Sequence, residues 1–233
     1  MTITTAYTND RRVLPLADRR AVVAAVTSDA ELPSPARLEA FSDGVIAIAI
    51  TLLVLDLKVP DVREGALGMA LRQQWPAYLG FTTSFVTIGI MWVNHHVLFD
   101  RIERVDGGPL FANLTLLLGI ATLPFTTSLA ARWLRAGDDG RIAVVVYCFS
   151  LGLVSATFVA LWSYLARRPE LLLPSHQQLP QLARRRALVG PIAYAVAAGI
   201  ATLSAPTGFA ACVVVAAYFI RPHRPRETLK EPT

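Results

Sequence analysis

Long stretches of this chain carry almost no charge, and the connections between them concentrate arginine. An apolar helix needs about 20 residues, at roughly 1.5 Å of rise each, to cross a hydrocarbon core of about 30 Å. Six stretches approach that requirement: residues 38–57, 76–99, 110–131, 142–166, 188–204 and 207–220. The pattern predicts an all-α membrane protein with six transmembrane helices. It excludes a disordered chain and an ordinary water-soluble enzyme, because 54% of the 233 residues are hydrophobic and only 17% are charged, against about 25% charged in soluble domains. The turn signal Asp106-Gly107-Gly108-Pro109 precedes the third span. Ala205-Pro206 alone separates the last two, which read as a hairpin of helices. Around this domain, residues 37–221, stand an N-terminal extension, 1–36, and a Pro-rich charged tail, 222–233, whose composition predicts disorder. The only apolar run of the extension, residues 21–26, is too short for the core of a signal peptide.

An even number of spans puts both termini on one side, and the basic residues say which. Of the 22 Lys and Arg, only Lys58, Arg63, Arg72, Arg132, Arg135 and Arg141 fall in connections on the far side. The positive-inside rule therefore predicts cytoplasmic termini, in the cell (plasma) membrane. The net charge of +5 reads as orientation and attraction to anionic membrane lipid. It does not call for a nucleic-acid partner. Cys148 and Cys212 both sit in apolar runs and are too few for a disulfide framework.

Polar residues inside apolar spans are expensive, so they mark contacts with protein or water. One cluster opens the first span: Arg37, Phe41, Ser42, Asp43. A second ends the second span: Trp92, Asn94, His95, His96 and then Phe99. Ser42 and Asp43 suit a helix N-cap, where an oxygen accepts from free backbone N–H groups and an anion suits the helix dipole. They equally suit a clamp between helices. At about 100° per residue, Asp43 shares a side with Ile46, Ile50, Leu53 and Val54, roughly opposite Ile48, Leu52 and Leu55. Trp92, His95, His96 and Phe99 are spaced i, i+3, i+4, i+7 and share a face, while Asn94 points away. An antiparallel second span brings those imidazoles level with Ser42 and Asp43. No metal is expected, since adjacent histidines point about 100° apart and no further Cys or His lies near. A proton relay through Asp43 and His95 or His96 stays open, and with it a proton-coupled secondary transporter, although no internal repeat supports one. No serine-nucleophile elbow or zinc-protease motif is present, so no enzymatic activity is expected.

Arg37-x-x-x-Phe41-Ser42-Asp43 with the following GVIAIAITLLVLDL resembles the signature of the TMEM175 family of potassium channels in its six-span prokaryotic form. Trp92-x-Asn94-His95-His96-x-x-Phe99, and the stretch from Asn113 to Pro124-Phe125, are similar to the family as well. The resemblance implies a homotetramer with a pore lined by the first helix of each subunit, K+ as the permeant ion, and no cofactor. It implies a constriction at Ile48, further apolar rings at Leu52 and Leu55, and a pore-facing hydroxyl at Thr51. It assigns Arg37, Ser42, Asp43, Trp92, Asn94, His95 and His96 to a network between helices, away from the ion. Near the outer end of the first helix, Asp56 reads either as a ring of four carboxylates at the mouth or as an interfacial partner of Lys58.

Overall fold

The computed structural model describes residues 34–178 and 180–220. The extension up to residue 33 and the tail from residue 221 lie outside the described residues. The described part is all-helical: α1 (Ala36–Leu52, continued by a 3₁₀ turn, Leu53–Asp56), α2 (Leu67–Gln73), α3 (Trp75–Phe99), α4 (Gly107–Trp133), α5 (Asp138–Leu165), α6 (Pro180–Ala187), α7 (Val189–Leu203) and α8 (Ala205–Ile220). The long helices start and stop where the sequence has turn chemistry. Pro76 sits in the first turn of α3, where its missing N–H costs nothing. Asp106 caps α4, one carboxylate oxygen accepting from Gly108 N at 3.0 Å, the other from the Tyr164 hydroxyl at 2.7 Å.

Five helices are long and apolar enough to cross a membrane: α1 with its 3₁₀ turn, α3, α4, α5, and α6–α7 taken together as Pro180–Leu203. The last of the six expected spans, already short in the sequence, is the short apolar helix α8. Helix α8 has 16 residues, about 24 Å of rise, short of the roughly 30 Å core. Two short helices, α2 and the arginine-bearing α6, were not expected from the pattern.

Helix α5 is the centre of the bundle, packing against α4, α7 and α8. Its stripe Val144, Tyr147, Leu151, Val154, Leu161 and Leu165 is buried along the whole length, at helical spacing. Lipid tails are as apolar as leucine, so close packing and buried hydrogen bonds hold such helices together. Both devices occur here. At the α7–α8 hairpin a β-carbon on Gly208 would stand 2.6 Å from Ala201 Cα, so only glycine lets the two backbones approach. Ser84 Oγ lies 2.7 Å from Thr127 Oγ1, three residues after Pro124 inside α4, and 2.8 Å from Tyr147 Oη, joining α3, α4 and α5. Helix α1 lies on one flank, packed against α3 and α4.

Candidate functional site

Helix α1 has two faces of different character. Ser42, Ile46, Ala49 and Leu53 follow each other at three- and four-residue steps and are buried against α3 and α4. Ile48 is 62% exposed and Leu55 68%, with Leu52 and Thr51 exposed between them. The face opposite Asp43 is therefore the bare one, whereas Ile46 is 2% exposed. The Thr51 hydroxyl donates back to the carbonyls of Ala47 and Ile48, at 3.0 and 2.9 Å, which leaves its lone pairs turned outward.

A chain of hydrogen bonds fastens the buried face. The Ser42 hydroxyl donates to Leu38 O at 2.8 Å, and Asn113 Nδ2 donates to Ser42 Oγ at 2.9 Å. With the asparagine amide oriented this way, its Oδ1 can only accept. His95 Nε2, 2.9 Å from that oxygen, must therefore carry a proton. All three side chains are fully buried. Among the described residues His95 Nδ1 has no partner, and the ring stacks on Phe99 with centroids 4.3 Å apart. The imidazole is thus wedged between α3 and α4 with one nitrogen used and one idle.

Nearer the helix end, α1 and α3 meet through two further pairs. Trp92 Nε1 donates to Asp43 Oδ1 at 2.9 Å, and His96 Nδ1 lies 2.8 Å from Glu39 Oε1. Stepping back one turn on α1 is matched by stepping forward one turn on α3, as two antiparallel helices require. Trp92 and His96 stack with centroids 6.0 Å apart. His96 Nε2 also lies 3.5 Å from Asp100 Oδ2. Glu39, His96 and Asp100 form the one group of possible metal ligands among the described residues. The ring sits between the two carboxylates with one nitrogen toward each, hydrogen-bonded to Glu39 and in longer ion-pair contact with Asp100.

Several sequence expectations are refined by this geometry. Ser42 and Asp43 do not cap α1, which begins at Ala36 and has no side-chain cap. Neither imidazole bonds either of them directly: His95 reaches Ser42 through Asn113, and His96 meets Glu39 instead of Asp43. Asn94 makes no side-chain hydrogen bond among the described residues and lines a separate cavity with Arg101. Arg37 stands exposed in the first turn of α1. Asp56 lines a cleft of about 350 Å³ with Lys58, Arg132 and Arg135. Sequence reasoning missed Glu39 and Asn113 as network members. Glu39 could have been found, since it stands one turn before Asp43 just as His96 stands one turn after Trp92.

The family model described as endosomal/lysosomal potassium channel TMEM175 matches residues 37–124, which hold both motifs and Asn113. A protein of Streptomyces collinus named a potassium channel is 42% identical over 185 residues, 78% of this chain and 90% of that one. The crystal structure of a lysosomal potassium-selective channel TMEM175 homolog from Chamaesiphon minutus is similar at a TM-score of 0.71 and 38% identity, covering 79% of this chain and 95% of that one. The human endosomal/lysosomal proton channel TMEM175 is 34% identical over 152 residues, 61% of this chain but 30% of its own length. With near full-length relatives, a matching family model and a shared helical fold, the chain belongs to the TMEM175 family of membrane proteins.

Proposed function

We propose that the chain is one subunit of a passive, potassium-preferring cation channel, a homotetramer in which four copies of α1 surround the pore. Six crossings per subunit, with α8 as the short sixth, keep both termini in the cytoplasm of a cell whose plasma membrane holds the channel. The observation that carries the reading is the asymmetry of α1. One face is bolted to α3 and α4 by Ser42, Asn113, His95, Asp43 and Trp92, while Ile48, Thr51, Leu52 and Leu55 lie uncovered on the other. The potassium-channel names of the Streptomyces and Chamaesiphon relatives support it.

Four Ile48 side chains around an axis form a constriction that sheds water, so conduction requires α1 to splay or rotate. Thr51 offers weak oxygen ligands one turn away. Preference then comes from the cost of dehydration, which favours K+ over the more tightly hydrated Na+ to a modest degree. The polar network serves the pore by fixing the rotation of α1 and does not touch the ion. Nothing in this scheme breaks a covalent bond, so no enzymatic step and no cofactor enters.

Proton-coupled transport through Asp43 and His95 or His96 is the competing reading, and a relay needs continuous hydrogen bonds. Asp43 is engaged by Trp92, and the His95 chain ends at a backbone carbonyl. Purified protein in liposomes with a K+ gradient separates the two. Stepwise currents that persist without a pH gradient are expected. Saturating flux that requires a pH gradient would establish the transporter instead.

A further inference from the structure

We propose that a cavity at the arginine-rich end of the bundle holds an anionic phospholipid, its phosphate between Arg101 and Arg186 and the start of its acyl chains against the apolar wall behind them. The cavity measures about 480 Å³ and lies among α3, α5, α6, α7 and α8, within the range of about 300–1,000 Å³ typical of ligand pockets. Its wall is apolar, with Met91, Phe158, Trp162 and Phe219 prominent. Its mouth is basic. Arg101 stands two residues beyond the end of α3, and Arg186 two residues before Leu188, where α6 gives way to α7. Both arginines therefore sit where apolar helix gives way to connection, the depth of lipid headgroups.

Among the described residues, the carboxylate that acts on Arg101 is that of its chain neighbour Asp100, which does not line the cavity. No Asp or Glu lines the cavity, and neither arginine has an ion-pair partner among the described residues. The Arg101 guanidinium lies 5.6 Å over the ring of Trp162, which holds it against the cavity wall. Burial draws the Arg101 pKa down from its ordinary value, a desolvation cost that a bound anion offsets. The cavity's lining on α3 runs from Thr87 to Asn94, two turns, about 10 Å. A small inorganic anion would fill only the mouth. A phosphate carrying acyl chains fills both parts, and basic pockets between transmembrane helices suit such headgroups.

The test uses the full chain, purified in detergent and stripped of lipid, then titrated with dioleoyl phosphatidylglycerol or dioleoyl phosphatidylcholine and read by native mass spectrometry. The anionic lipid is expected to bind about 25-fold more tightly, from roughly fivefold per arginine. R101Q/R186Q is expected to lose that preference, and R184Q, which changes an arginine of the same helix outside the cavity, to keep it. Because Arg101 packs on Trp162, R186Q alone provides a variant altered only at an exposed side chain, expected to lose about fivefold. Equal binding of the two lipids, or full preference in R186Q and the double variant, overturns the proposal. Displacement of the lipid by millimolar inorganic phosphate overturns it as well, in favour of a site for free anions.

Discussion

Asn113 is the residue on which the inter-helix network turns. It both donates to Ser42 and accepts from His95, so truncating it strands the buried His95 Nε2–H and removes a second hydrogen bond from Ser42, whose hydroxyl keeps Leu38 O. A stranded group costs about 1–3 kcal/mol. Asn113→Ala is expected to lower unfolding stability in detergent by about 2–4 kcal/mol, more than Ser42→Ala, and the double variant is expected to cost less than the two singles added, because they share one hydrogen bond. Additive losses would show that the chain of bonds does not act as a unit. Glu39→Gln is expected to change stability far less than Asn113→Ala, because His96 on the other side of that pair is exposed. Cys148 and Cys212 are buried side by side and are expected to resist a maleimide until the protein unfolds, as followed by mass spectrometry. Ser42, Asp43, Trp92, His95 and His96 were legible in the sequence because polar residues stand out in apolar helices. Their partners were not: Asn113 lies 71 residues from Ser42, and nothing in a sequence announces which helices touch. Glu39 was hidden differently, since an acid in a first turn already has a reason in the helix dipole.

Helix α1 gains its meaning from what covers it. It is apolar nearly all round, so periodicity could not choose between Ile48 and Ile46, and only packing against α3 and α4 separates them. The helix boundaries, by contrast, were readable to within a few residues, because Pro, Gly, Asp and Arg punctuate otherwise uniform apolar runs. The short helices were missed for a physical reason: α2 has seven residues and α6 eight, too few turns for an apolar stripe to rise above chance. The small-residue contact in the α7–α8 hairpin supplies a test at this level. Gly208→Ala forces a methyl group into the Ala201 backbone and is expected to cost about 1–3 kcal/mol, whereas Gly199→Ala, at a glycine with open space around it, is expected to be neutral or slightly stabilising. Equal effects in thermal unfolding would mean that the hairpin is not closely packed.

Taken as a molecule, one chain leaves Ile48, Leu52 and Leu55 exposed on the face turned away from its own bundle. The proposed tetramer gives that strip a common axis, and the buried network keeps each α1 from rotating the strip out of it. In this arrangement Ile48→Asn replaces the apolar constriction by polar groups that hold water, and is expected to raise K+ leak and reduce the preference over Na+ in single-channel recording. Asp43 and its partners enter through the orientation of α1, so their variants are expected to lose assembled channel on size-exclusion chromatography before altering preference among ions. The most direct measurement of the central claim is cysteine accessibility along α1 during conduction. With Cys148 and Cys212 buried, a water-soluble thiol reagent is expected to block K+ currents of Ile48→Cys, Leu52→Cys and Leu55→Cys, and to leave Ile46→Cys and Ala49→Cys unaffected. Block at Ile46 or Ala49 with none at Ile48 would contradict it, because the ion would then be passing along the face that the network holds shut.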